Sequence, residues 1–144
     1  MVLTKTAMNE LRTHLPFTQL RFFCRKHQGR TFHVTAAANN SGEAVVKYFS
    51  GQTDDQPAAC GSFVRLENDN SRLPGACKRW GLENGKYTVG KWGHGEDQNR
   101  LYTYAAFTFH EYHWMMSPSL SRWECDDLFT AGVSSGDFWK VFVR

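Results

Sequence analysis

The chain has 144 residues, a length typical of one folded unit, so we predict a single domain over residues 1–144. Its net charge is +3 at pH 7, and its basic residues are not gathered in a dense run: Arg21, Arg25, Lys26 and Arg30 are spread along one segment. This pattern argues against a nucleic-acid partner, and the lack of any apolar stretch of about 18 residues argues against a membrane span.

The first residues carry the clearest helical pattern in the chain. Thr4 or Thr6 is a candidate N-cap, and Pro16 would end the helix. We therefore predict a short N-terminal helix within residues 1–16. The same segment lacks the apolar stretch of a signal peptide.

From residue 17 onward the pattern favours β-strands. The last run alternates with period two: Phe138, Lys140 and Phe142 fall on one face, and the residues between them fall on the other. Segments rich in Gly, Asn, Asp, Ser and Pro separate the runs about every ten residues, and Asn84-Gly85 is typical of a hairpin turn. The spacing predicts an all-β fold, an antiparallel β-sandwich or barrel. The candidate strands lie in 18–24, 30–37, 43–51, 61–68, 85–93, 100–109, 112–116, 121–125 and 137–144.

The four cysteines are widely spaced, which argues against a zinc ribbon or finger. An even number of well-separated cysteines in a small domain favours two disulfides, which can form in three connectivities. We prefer Cys60–Cys77, which closes a short loop, with Cys24–Cys125, which joins an early strand to a late one. Disulfides imply an extracellular protein, and this chain would then be a mature form or a fragment. The alternative is four free thiols in an intracellular protein.

Carboxylates and amides gather in three loops, at 67–70, 96–99 and 124–127. Calcium takes about six to eight oxygen ligands from irregular loops of this kind. The alternative is that Asn, Asp and Gly are there because they form turns. The sequence makes calcium a candidate cofactor, with candidate ligands Asp97, Glu124, Asp126 and Asp127.

The segment "KWGHGEDQN" is the best single candidate for a ligand site. A Trp ring would offer a flat apolar face, the two glycines would let a ligand approach the backbone, and the polar side chains would bond to hydroxyl groups. The competing interpretation places the Trp in the core. The predicted ligand-binding residues are Trp92, His94, Glu96, Asp97 and Asn99.

Signals of catalysis are weak. "HEYH" at 110–113 is one residue short of the zinc-protease spacing, and in a strand His110 and His113 would point to opposite faces. A Cys–His catalytic pair cannot be inferred either, because the widely spaced cysteines are interpreted as structural. We therefore do not expect an enzyme, and a small hydrolase is the least favoured alternative.

We interpret the residues of the run "RWECDD" at 122–127 as mainly structural. On a strand, Trp123 and Cys125 would both point inward and Glu124 would face outward. Asp126 and Asp127 would begin the following loop.

Three stretches, "GACKRWGLENGKYTVGKWGHG", "RWECDD" and "SGDFWKVFVR", resemble extracellular β-domains of marine invertebrates, including galactose-binding, calcium-dependent lectins. The resemblance implies a secreted, carbohydrate-binding domain with a glycan or glycoprotein partner, and it carries over no individual binding residue. The alternative is a structural or adhesive protein-interaction domain of a larger extracellular protein. A homo-oligomer is a further expectation.

Overall fold

The computed structural model of the chain describes residues 3–27, 29–95, 100, 106–108, 111–127 and 133–144. The described part is rich in antiparallel β-sheet and also contains short helices. The α-helices are α1 (Lys5–His14) and α2 (Asn40–Phe49), and two 3₁₀ helices span Leu73–Arg79 and Pro118–Leu120. The strands are β1 (Leu20–Arg25), β2 (Thr31–Ala36), β3 (Phe63–Arg65), β4 (Leu82–Glu83), β5 (Lys86–Tyr87), β6 (Ala106–Phe107), β7 (His113–Ser117), β8 (Arg122–Asp127) and β9 (Phe138–Val143).

The predicted N-terminal helix is present as α1. The Thr4 hydroxyl accepts a hydrogen bond from the backbone N–H of Ala7 at 3.1 Å, so Thr4 is the N-cap. Met8 is the buried residue of this helix, and it joins the main core.

The predicted strand at 43–51 is wrong, because α2 covers most of these residues, and the predicted strand at 85–93 forms only over Lys86–Tyr87. The Asn39 side chain caps α2 by accepting from the backbone N–H of Gly42 at 2.9 Å. The buried positions 42, 45, 46 and 49 follow helical spacing. The β-branched and aromatic residues that favoured a strand therefore form the buried stripe of a helix, so the fold is β-rich without being all-β.

The largest sheet has four strands in the order β3-β2-β1-β9, and every neighbouring pair is antiparallel. One face of this sheet carries Phe22, Cys24 and Val34 into the core, while the alternate residues face away from the core. The C-terminal strand β9 is hydrogen-bonded beside β1, so segments more than 110 residues apart in the sequence lie side by side.

The second sheet has three strands in the order β6-β7-β8, and β4 and β5 form a separate hairpin. Asn84 and Gly85 at the hairpin turn have φ of 50° and 71°, as the predicted turn requires. No barrel closes among the strands that the structure describes.

Both preferred disulfides are present, Cys24–Cys125 and Cys60–Cys77. The first joins β1 to β8 and so links the four-stranded sheet to the three-stranded sheet. Beside it, the ring of Phe22 contacts that of Trp114, with centroids 6.2 Å apart. Over the described residues, no helix has both the length and the apolar character needed to cross a membrane.

Candidate binding surface

Trp92, the predicted aromatic platform, lies in the core. Its side chain is fully buried, its indole N–H donates to the Ser62 hydroxyl at 2.6 Å, and its ring packs on Trp80 with centroids 4.8 Å apart. The competing interpretation of this residue is therefore the correct one. Its indole face is not available to a ligand.

The glycines beside His94 are also used for packing. A Cβ on Gly93 would lie 3.0 Å from the Tyr48 ring, and a Cβ on Gly95 would lie 2.6 Å from Oε1 of Gln56. These positions bring the backbone against protein side chains, which is a different role from the ligand approach that the sequence suggested.

A polar cleft of about 410 Å³ lies at the start of the predicted loop. His94 is half-buried, and its backbone oxygen accepts from the Tyr48 hydroxyl at 3.3 Å. Glu96, Asp97 and Asn99 lie outside the described residues, so their part in a site stays a prediction. The cleft is lined by Asp54, Asp55, Gln56, Glu83, Asn84, Lys91 and Gly95.

The second predicted carboxylate group, at 124–127, is occupied by protein contacts. Asp126 accepts from the backbone N–H groups of Arg72 and Leu73 at 2.6–2.9 Å, where the first 3₁₀ helix begins, and it pairs with Arg30. Asp127 pairs with Lys26 at 2.9 Å.

Glu124 does not face outward as predicted, because both faces of β8 are covered at this point. Its carboxylate is buried and contacts the His113 ring and the Arg122 guanidinium. Burial raises the pKa of Glu124, but the hydrogen bond and charge of His113 and Arg122 outweigh it and hold the pKa below its ordinary value. Cys125 is buried as predicted, and Trp123 packs against Trp139 with ring centroids 5.7 Å apart.

Because of these contacts, the described part of the chain contains no group of carboxylates placed for the predicted calcium site. Among those residues, no three His, Cys, Asp or Glu side chains are placed to hold a metal ion together. The carboxylates of 124–127 instead bind arginine, lysine, histidine and backbone N–H groups.

The outer face of the four-stranded sheet carries a partly exposed aromatic group that was not among the predicted site residues. Phe23 of β1 stacks on Phe138 of β9, with centroids 5.3 Å apart and planes 18° apart. The His33 ring of β2 meets Phe23 edge-on at 4.9 Å. All three side chains are half-buried, so each keeps part of its surface open to solvent.

Basic side chains alternate with these rings. The Arg21 guanidinium lies 3.8 Å from the centroid of Phe142, and the Lys140 ammonium lies 5.0 Å from that of Phe138. Contacts of this kind between a cation and an aromatic face are attractive. We call this surface the aromatic–basic face, and its members are Arg21, Phe23, Arg25, His33, Phe138, Lys140 and Phe142.

Two shallow depressions of about 380 Å³ and 180 Å³ adjoin on this face. They share Arg21 and Phe142, and the larger continues toward Leu66 and Arg144. The face is therefore an extended, shallow surface. Such a surface suits a chain-like ligand better than a small ligand, which usually binds in an enclosed pocket.

The sequence held one signal of this face, the period-two alternation of "DFWKVFVR", which groups Phe138, Lys140 and Phe142. The partners Arg21 and Phe23 come from β1, and their proximity depends on the β1–β9 register. No protein-family model, no curated protein and no solved structure matches the chain.

Proposed function

We propose that the protein is a carbohydrate-binding, lectin-like domain and that its glycan lies on the aromatic–basic face. The observation that carries the proposal is the stacked pair of Phe23 and Phe138 on a solvent-facing sheet surface. Partly exposed rings that lie together on one sheet face, with polar groups beside them, are typical of an interaction surface.

Sugars match this surface in two ways. The C–H groups of a pyranose form an apolar face that packs on an aromatic ring, and the hydroxyl groups at its rim bond to polar side chains. The aromatic–basic face supplies the rings of Phe23 and Phe138 and the polar groups of Arg21 and Lys140 within one surface.

An extracellular location is part of the proposal. Two disulfides support it, because disulfides persist in oxidising compartments. Calcium assistance is retained as a proposal for the 96–99 loop alone, since the described carboxylates of 124–127 are already occupied.

A glycan array tests the function, with the parent protein beside Phe23→Thr and Phe138→Thr. Threonine is a β-branched residue that suits a strand, and the substitution removes the ring. We expect the parent to bind a defined set of glycans and each variant to bind them about tenfold more weakly. Running the array with calcium and with a chelator shows whether the metal takes part.

Tyr87→Thr is the matched control, because Tyr87 is an exposed strand aromatic, 44% accessible, in the separate β4–β5 hairpin. It should bind as the parent does, and thermal melting should show that all variants fold. A larger loss of glycan binding from Tyr87→Thr than from Phe23→Thr would overturn the aromatic–basic face as the glycan site. A folded parent that binds no glycan would contradict the proposal and favour the protein-interaction alternative.

A further inference from the structure

We propose that the ligand of the aromatic–basic face is an acidic polysaccharide, whose sulfate or carboxylate groups bind Arg21, Arg25 and Lys140. The inference rests on the proposed function and specifies the class of glycan. Three observations support it: the positions of the cations on the sheet, the absence of carboxylates paired with them in the described residues, and the oxidising compartment that the disulfides indicate.

Strand pairing places the three cations around the aromatic pair. Arg21 and Arg25 are on the same face of β1 as Phe23, and Lys140 is directly opposite Phe23 on β9. Four residues of extended strand separate Arg21 from Arg25 by about 14 Å. The cations are thus spread over a length that suits successive units of a polymer and exceeds the size of a single small anion.

These cations lack the carboxylate partners that neighbouring basic residues have. Lys26 pairs with Asp127, Arg30 with Asp126, and Arg65 with Asp69. Within the described ranges, no carboxylate lies within ion-pair distance of the cations of the aromatic–basic face.

The outward positions of the sheet contain no acidic residue either. Those positions are Arg21, Phe23 and Arg25 on β1, Thr31, His33 and Thr35 on β2, Val64 on β3, and Phe138, Lys140 and Phe142 on β9. Asp137, which precedes β9, is engaged by the backbone N–H groups of His27 and Ser134 at 2.6 Å and 2.8 Å. The face is therefore positive and has room for negative charge from a ligand.

The aromatic contacts position the cations without neutralising them. Stacking on Phe142 holds the Arg21 guanidinium at the surface, and Phe138 does the same for the Lys140 ammonium. A ligand with anionic groups and apolar C–H faces would use both kinds of side chain at once. A neutral sugar would leave the charges unused.

Single-stranded nucleic acid has the same two properties, since its bases stack on rings and its phosphates bind cations. The two disulfides favour the polysaccharide, because they indicate an oxidising compartment. The experiment therefore includes an oligonucleotide as a competing ligand.

The test is calorimetric titration of the full chain with heparin as the sulfated polysaccharide, dextran as the neutral one, and a single-stranded DNA oligonucleotide. We expect heparin to bind most tightly, with an affinity that falls steeply between about 0.05 M and about 0.2 M salt as counterions are released. Arg21→Gln, Arg25→Gln and Lys140→Gln should each weaken heparin binding about fivefold. Lys86→Gln, on the exposed β5 strand of another sheet, is the matched control and should bind as the parent does.

Each other outcome has a distinct meaning. Dextran binding as tightly as heparin, with loss in Phe23→Thr, would keep the proposed function and overturn the acidic ligand. Tighter binding of the oligonucleotide would overturn the polysaccharide as the ligand class. Heparin binding that Lys86→Gln weakens as much as Lys140→Gln does would show a general charge effect and overturn the site. No binding of any glycan would contradict the proposed function itself.

Discussion

At the scale of single residues, the buried carboxylate of Glu124 shows how strand context changes a side chain's role. A half-exposed strand would have pointed Glu124 to water, but Met115, its partner on β7, is itself fully buried on that face. The carboxylate is stable there because His113 and Arg122 supply its partners. Burial of a charge otherwise costs several kcal/mol.

Glu124→Gln should destabilise the protein by about 3 kcal/mol at pH 7, because it leaves Arg122 facing a neutral amide in a buried site. The pKa of Glu124 is lowered in the folded state, so its stabilising effect is present above the pKa of the unfolded chain, about 4.3, and is lost as the pH falls through the lower folded pKa. Urea unfolding of parent and variant between about pH 3 and pH 7 should show the difference shrinking below about pH 4.

Glu43→Gln is the control for this prediction, because the exposed Glu43 also has a lowered pKa, caused by Lys47, but is not buried. It should change stability little at any pH. A Glu124→Gln effect that stays constant down to about pH 3 would show that the loss comes from packing and that the charge has no part in it.

Asp126 shows a second effect at this scale. It is the extra residue of a β-bulge, since Cys125 pairs with Trp114 and Asp127 pairs with His113, and its φ is 57°. This left-handed conformation is one that Asp tolerates better than most residues, and it turns the carboxylate to the N-terminus of the helix Leu73–Arg79. The bulge therefore converts a predicted loop residue into a helix cap.

At the scale of elements, α2 is where local pattern and final structure disagree most. The segment begins with Asn39 and Gly42, and both fit the start of a helix closely packed on the chain that precedes it. A Cβ on Gly42 would lie 1.9 Å from the backbone oxygen of Ala37. Glycine is required at this position because a larger side chain would overlap the backbone of Ala37, even though glycine lowers helix propensity.

Gly42→Ala should therefore destabilise the protein by about 1–3 kcal/mol, although alanine is the better helix former. The matched control is Gly75→Ala in the 3₁₀ helix Leu73–Arg79, where an added Cβ meets nothing within 4 Å. Chemical denaturation of the two variants measures the difference. Equal stability of both would mean that the chain before α2 moves aside without cost.

At the scale of the whole molecule, the two disulfides close loops of very different length along the sequence. Cys24–Cys125 spans 101 residues of sequence and links two sheets, whereas Cys60–Cys77 spans 17. In the chain-entropy account, a longer closed loop restricts the unfolded chain more, by about 4.7 kcal/mol for a loop near 100 residues and about 3 kcal/mol for one near 15.

Removing Cys24–Cys125 with paired alanine substitutions should lower the melting temperature more than removing Cys60–Cys77 in the same way. Differential scanning calorimetry of the two double variants, with the parent under oxidising and reducing conditions, measures the contrast. An equal or larger loss from the Cys60–Cys77 variant would show that local structure around residues 60–77 outweighs loop entropy.

The sequence by itself determined the features that depend on neighbouring residues. A threonine-capped N-terminal helix, the Asn84-Gly85 turn and the alternation of β9 follow from short-range geometry, so they were predictable, although the choice of Thr4 over Thr6 as the cap was not. The two-disulfide framework followed from the number and spacing of the cysteines.

Only the tertiary structure decided the rest, because those features depend on which distant segments meet. Trp92 became a core residue through packing on Trp80, and Glu124 became buried because both faces of its strand are covered. The aromatic–basic face exists because β9 pairs with β1 in a register that sets Lys140 opposite Phe23. A shift of one residue in that register would turn the rings of β9 to the other side of the sheet, so the candidate surface is a property of the pairing and could not be read from either strand alone.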